Sequence, residues 1–152
     1  MTTAPHEAFV YEHMLLSRGA LQGTPAHGRD FAIDRSATVL LARLEASGPM
    51  SVGELADAFG LDVSTVHRQV AAAMKAGLIE RLPDPAGGPA RKHRPTPLGS
   101  ERLHEEFTGR TQVVERVTAE WSDDDVAQLT MLLRRFNEDA EAVRGQPWPR
   151  PE

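Results

Sequence analysis

Apolar residues recur along this chain mostly at helical spacing, and clusters of glycine and proline interrupt them. The pattern predicts a first helix from about Pro5 to Leu21, with Phe9, Met14 (or Val10), Leu16 and Leu21 on its apolar side. Gln22 to Gly28 reads as a loop. Asp34 then stands where an N-cap belongs, ahead of a helix with Ala37, Leu40, Leu41 and Leu44 facing inward, and Ser47-Gly48-Pro49 stops it. Ser51-Val52-Gly53-Glu54 has the capping-box pattern, in which hydroxyl and carboxylate each satisfy a free amide. The short helix behind it turns Leu55, Ala56 and Phe59 inward and breaks at Gly60. Asp62 is set to cap the next helix, whose stripe is Val63, Val66, Val70 and Met74, and Gly77 suits the left-handed position past its end.

Beyond Gly77 the period changes. Leu78 to Leu82 is short and branched, which predicts a strand. Pro83 to Pro89 holds three prolines and two glycines and suits a hairpin tip. A return strand from Ala90 to Thr96 is expected to be poor, because Pro95 is tolerated only at a strand edge. A long helix follows from Pro97, after Thr96 as cap, with Leu98, Leu103, Phe107, Val113 (or Val114) and Val117 on one side. Ser122 opens the last helix, with Asp123, Asp124 and Asp125 at its positive end and a broad stripe of Val126, Leu129, Leu132, Leu133 and Phe136. Gly145 to Glu152, with three prolines, reads as a disordered tail.

Two short helices joined by a tight turn, flanked by a third helix and a hairpin, describe a winged helix-turn-helix. In that arrangement the second short helix enters the major groove of DNA. With its valine stripe turned inward, that helix presents Ser64, Arg68, Ala71, Ala72 and Lys75, with Thr65 and His67 on the flanks. Arg68 is suited to bidentate bonding with guanine; Ser64, Thr65 and His67 suit bases or phosphates, and the alanine methyls permit close approach. Arg91, Lys92, His93 and Arg94 fall where a wing would run along the adjacent minor groove or backbone.

Charge first argues against this reading and then qualifies itself. The net charge is −5. Residues 62–102, however, carry seven Lys/Arg against four Asp/Glu, while residues 1–61 carry four against seven and residues 103–152 six against eleven. A basic middle between acidic flanks can neutralise phosphates locally. The absence of cysteine excludes disulfides, thiolate metal sites and thiol switches. No apolar run approaches a membrane span and Met1 to Glu12 lacks a secretory pattern, so the cytosol is the expected compartment. An enzyme is not expected: Gly87-Gly88 lies in a proline-rich turn without a following Lys-Ser/Thr. No cofactor or metal is expected either. His6 and His13, with Glu12, form at most a weak metal grouping.

Ser51 to Ala56, Leu61 to Arg68, Ala76 to Arg81, Pro83-Asp84-Pro85 and Thr96 to Gly99 together resemble the central part of MarR-family regulators, and Trp121-Ser122 with the helix after it is similar to the family's last helix. The resemblance covers roughly Asp34 to Glu138. It implies a mainly α fold with a small β-hairpin wing, a winged helix-turn-helix with N- and C-terminal dimerisation helices. The corresponding divisions are 1–33 (dimerisation helix and loop), 34–97 (winged lobe), 98–144 (dimerisation helices) and 145–152 (tail). It further implies a homodimer on a palindromic double-stranded operator, with Ser64, Thr65, His67 and Arg68 facing the major groove. Small aromatic or lipophilic effectors are implied between the dimer helices and the DNA lobe, where Tyr11, Met14, Phe31 and Phe107 are candidate lining residues. One departure concerns the wing: Asp84 is present, but the tip continues with Gly87, Gly88 and Pro89, and the arginines come later, at Arg91 and Arg94. A short or mobile wing is therefore expected, with more of the affinity in the recognition helix. The competing reading is a winged-helix interaction module that does not bind DNA.

Overall fold

The computed structural model describes residues 4–19, 33–83, 86–87 and 91–150. Within them the chain forms α1 (Pro5–Ser17), α2 (Arg35–Ser47), β1 (Met50–Ser51), α3 (Val52–Phe59), α4 (Val63–Lys75), β2 (Ile79–Leu82), β3 (Lys92–Pro95), α5 (Pro97–Val117) and α6 (Asp123–Arg144). The fold is the mainly α, winged arrangement expected.

Side-chain caps fix where four of the helices begin. The Asp34 carboxylate accepts the Ala37 amide at 2.7 Å ahead of α2. At α3 both halves of the capping box form, Glu54 N to Ser51 Oγ at 3.1 Å and Ser51 N to Glu54 Oε2 at 2.7 Å. Ser122 Oγ accepts the Asp125 amide at 3.1 Å ahead of α6. Thr96 does two jobs at the start of α5: its hydroxyl accepts the Gly99 amide at 3.0 Å and donates to the Gly77 carbonyl at 2.6 Å. That second bond locks α5 to the end of α4. Gly99 completes the junction, since a Cβ there would run into the Leu78 carbonyl oxygen.

The core lies entirely in the winged lobe and its α5 abutment. Leu40, Leu41 and Leu44 of α2 meet Leu55 and Ala56 of α3, Val66, Val70 and Ala73 of α4, Leu78, Ile79 and Leu103. Three strands back it in the order β1-β3-β2, all antiparallel. The short first strand was not anticipated, because two residues carry no readable alternation. It pairs Met50 with His93 and Ser51 with Lys92, while β2 pairs Ile79 with Pro95 and Arg81 with His93. Pro95 is tolerated here because β1 has already ended where it sits.

The expectations for Val63 and for the tail need correcting. Val63 is 58% exposed instead of buried. The inward line of α4 runs through Val66, Val70 and Ala73, with Met74 half-covered. Val63 falls in the first turn, where the lobe's cover has run out, and Leu61 beside it is exposed too. The tail is the second correction. Residues 145–150 are packed rather than disordered: Trp148 lies against Phe59, with ring centroids 6.0 Å apart and 22° between planes. Its prolines limit the entropy lost on ordering, and an aromatic ring supplies the anchor. Leu21, the loop from Gln22 to Gly28, Phe31 and Asp84 lie outside the described residues.

Candidate nucleic-acid interface

Helix α4 presents a continuous polar surface away from the core. Ser64, His67, Arg68 and Lys75 are exposed and Thr65 is half-buried, while Ala71 and Ala72 are exposed between them. Helical phase explains this: residues 64, 68, 71, 72 and 75 fall opposite Val66, Val70 and Ala73. Arg68 Nη2 donates to Thr65 Oγ1 at 3.4 Å, a long bond that steadies the guanidinium without consuming its remaining donors. No acid pairs with Arg68 among the described residues. Asp62 occupies the N-cap position with extended backbone, but its side chain makes no cap bond, a departure from the capping role expected of it.

The strand cations are arranged differently. Lys92 Nζ lies 3.4 Å from Glu54 Oε1, and Arg94 Nε lies 2.6 Å from Glu80 Oε1. Both pairs are half-exposed, so water and salt weaken them and a phosphate can displace the carboxylate at small cost. The Glu54 carboxyl is held below its ordinary range, first by the Ser51 amide and then by Lys92. Arg91 is exposed at the foot of β3. His93, grouped with these cations in the sequence, points the other way: it is buried. Its Nδ1 stands 3.4 Å from the Met50 carbonyl oxygen, and its Nε2 has no partner among the described residues. Burial holds the imidazole below its ordinary range, and the nearby charges of Arg81 and His67 push the same way.

That influence also identifies a residue the sequence reading missed. Arg81 opposes His93 in register, so both side chains leave the same sheet face, near His67 of α4. Arg81 is exposed. The available signal was its two-residue offset from buried Ile79. On the effector side, Tyr11 and Met14 stand exposed on α1 and Phe107 on α5. His13 stacks on Phe9 with ring centroids 6.2 Å apart and lies tilted beside Phe136 at 6.5 Å.

Comparison with known proteins settles the family. The MarR family's sequence profile matches residues 33–88. The uncharacterised HTH-type transcriptional regulator YxaD of Bacillus subtilis (strain 168) is 35% identical over 133 residues, covering 88% of this chain and 93% of that protein. The chain belongs to the MarR family of transcriptional regulators. Its fold agrees: a MarR family protein from Bacillus stearothermophilus superposes with a TM-score of 0.69 at 22% identity, over 91% of this chain and 99% of that one. PcaV, a transcriptional regulator from Streptomyces coelicolor whose structure holds its natural ligand, superposes with a TM-score of 0.62 at 21% identity, over 93% and 100%. Within that fold, α3 and α4 form the helix-turn-helix pair and β2–β3 the hairpin beside it. No helix among the described residues of this MarR-family chain is long and apolar enough to cross a membrane.

Proposed function

We propose that this chain is a homodimeric, sequence-specific reader of double-stranded DNA that acts as a repressor on a palindromic operator. The exposed polar face of α4, with Arg68 free of any described acid, is the observation that carries the reading. Ser64, Thr65, His67 and Arg68 take the base edges and nearby phosphates, and Lys75 takes a phosphate at the far end of the helix. Arg91, Lys92 and Arg94 neutralise backbone charge beside the groove, Lys92 and Arg94 by exchanging Glu54 and Glu80 for phosphate. Dimerisation runs through α1, α5 and α6, whose apolar faces lie open in the single chain. A small aromatic or lipophilic molecule between those helices and the lobe, touching Tyr11, Met14, Phe31 and Phe107, retunes the dimer. The ligand held by PcaV supports this last element.

Selection of bound duplexes from a random library tests the reading. Enrichment of an inverted repeat with half-sites about one helical turn apart is expected. Affinity for that site should fall steeply between low and physiological salt. Binding without symmetry or salt dependence would instead favour an interaction module. The net charge of −5 and the two acid-paired wing cations give that second reading its footing.

A further inference from the structure

Residues 145–150, which follow α6, return to the winged lobe. Gly145 ends α6 with φ +66, in the left-handed region, and the chain then runs as Gln146-Pro147-Trp148-Pro149-Arg150. The Trp148 ring meets two groups of the lobe, stacking on Phe59 at the end of α3 and lying under the Arg43 guanidinium of α2 at 5.2 Å. Arg43 Nη1 also donates to the Pro147 carbonyl at 2.8 Å. Glu141 on α6 grips the segment from the other side. Its carboxylate accepts the Trp148 amide at 3.0 Å and both terminal nitrogens of Arg150, at 3.0 and 2.5 Å. Gln146 reaches the turn between α3 and α4: a Cβ on Gly60 would run into its side-chain amide.

We propose that residues 146–150 are a strap fixing the angle of the recognition helix relative to α6, with Trp148, Arg43 and Glu141 as positioning residues for DNA reading. The lobe and α5 are locked together at Thr96, Gly99 and Leu103, and the chain joins α6 to them through the short turn at residues 118–122. A body held at one attachment can hinge, and a second attachment removes that freedom. The strap is this second attachment, and it lands on Phe59 and Gly60, immediately ahead of α4. It is not a pillar of the lobe, since no residue of 146–150 belongs to the buried core. In a dimer the angle of each lobe sets the distance between the two recognition helices, and hence the half-site spacing that fits. A cation over an indole and a bidentate arginine–carboxylate pair make the contact directional as well as adhesive.

The inference rests on the DNA-binding reading, so its test has one arm that needs DNA and one that does not. In the first, full-length protein, Trp148→Ala, Glu141→Ala and Trp148→Phe are compared on the selected operator and on versions with one base pair added or removed between half-sites. Each such change turns one half-site by roughly 34°. Wild type and Trp148→Phe should lose about tenfold or more in affinity on the altered sites, whereas Trp148→Ala and Glu141→Ala should bind all spacings within about threefold of one another. An unchanged spacing profile in both variants overturns the proposal. In the second arm, Trp121→Phe leaves Trp148 as the lone tryptophan, and acrylamide quenching and hydrogen exchange are followed. Phe59→Ala should raise quenching, and Trp148→Ala should speed exchange at the amides of residues 60–66. If neither changes, the strap does not exist. Should wild type enrich no duplex, the DNA reading fails and this second arm alone decides the strap.

Discussion

The winged lobe and the helices at the two ends of the chain are built from similar material and end in opposite states. In the lobe, α2, α3 and α4 each turn one apolar face inward, and Leu40, Leu41, Leu44, Leu55 and Val66 are sealed from water. In α1 and α6 no residue is buried. Phe9, Tyr11, Leu16, Leu129, Met131, Leu132 and Phe136 stand open, and the two helices touch each other through Phe9 and Phe136, with ring centroids 4.9 Å apart. A single copy therefore satisfies the lobe and leaves the ends in need of apolar cover. An exposed patch of this extent marks an interaction surface. In the proposed dimer that cover is the second copy.

The largest expected effect probes this contrast directly. Leu40→Ala empties a sealed site and should cost about 2–5 kcal/mol at any protein concentration, read by chemical denaturation. Leu132→Asp, in the open stripe of α6, should leave the denaturation midpoint of dilute protein nearly unchanged. Its effect should appear in sedimentation as a shift from dimer to monomer. If Leu132→Asp unfolded the lobe, or left the assembly intact, the division between a self-sufficient lobe and partner-dependent ends would be wrong.

Arg68→Ala comes next and separates reading from folding. On the selected operator it should weaken binding by about 1–3 kcal/mol and relax base preference at one position. Midpoint and sedimentation should match wild type, because Arg68 is exposed and its one side-chain hydrogen bond among the described residues is to Thr65. By contrast, Arg91→Ala or Arg94→Ala should weaken every sequence about equally. A preference unchanged in Arg68→Ala would remove that residue from base recognition.

The lobe was legible in the sequence because its signals are local. Ser51 and Glu54 are three residues apart, Asp34 and Ala37 likewise, and each pair identifies a helix start without knowledge of the rest of the fold. The polar face of α4 followed from period alone. What escaped was long-range or marginal. Trp148 in a proline-rich tail looked like disorder because Phe59 and Arg43, which hold it, are some ninety to a hundred residues away. The two-residue β1 is defined only by its pairing with β3. Val63 continues the spacing of Val66 and Val70, and spacing cannot tell that the first turn of a helix protrudes. His93 sat among three cations, yet strand alternation sends it inward while Lys92 and Arg94 point out.

His93 gives the lobe a pH dependence that the end helices should not share. Burial, with Arg81 and His67 nearby, holds its folded pKa below the unfolded value of about 6.5. The unfolded chain thus takes up the proton first. Lobe stability should be complete above that value and should decline as the pH falls from it toward the folded pKa, with a slope of at most about 1.4 kcal/mol per pH unit. His93→Leu should flatten this part of the profile in denaturation experiments between neutral and mildly acidic pH. A slope that survived the substitution would have to be assigned to other groups.

The smallest effect compares the two regions with the same chemistry. Ser51 and Ser122 each accept an N3 amide at 3.1 Å, one opening α3 in the lobe and the other opening α6 at the end. Replacing either by alanine removes a cap worth about 1 kcal/mol to its helix. Ser51→Ala should lower the stability of the lobe by that amount at every concentration, because α3 folds with the core. Ser122→Ala acts on a helix whose burial needs a partner. Its cost should be absent from lobe unfolding in dilute protein and should emerge, at similar size, as the concentration is raised through the dimerisation range. Equal costs at both extremes would mean that α6 folds fully without a second copy, and the open stripe would then need a different explanation.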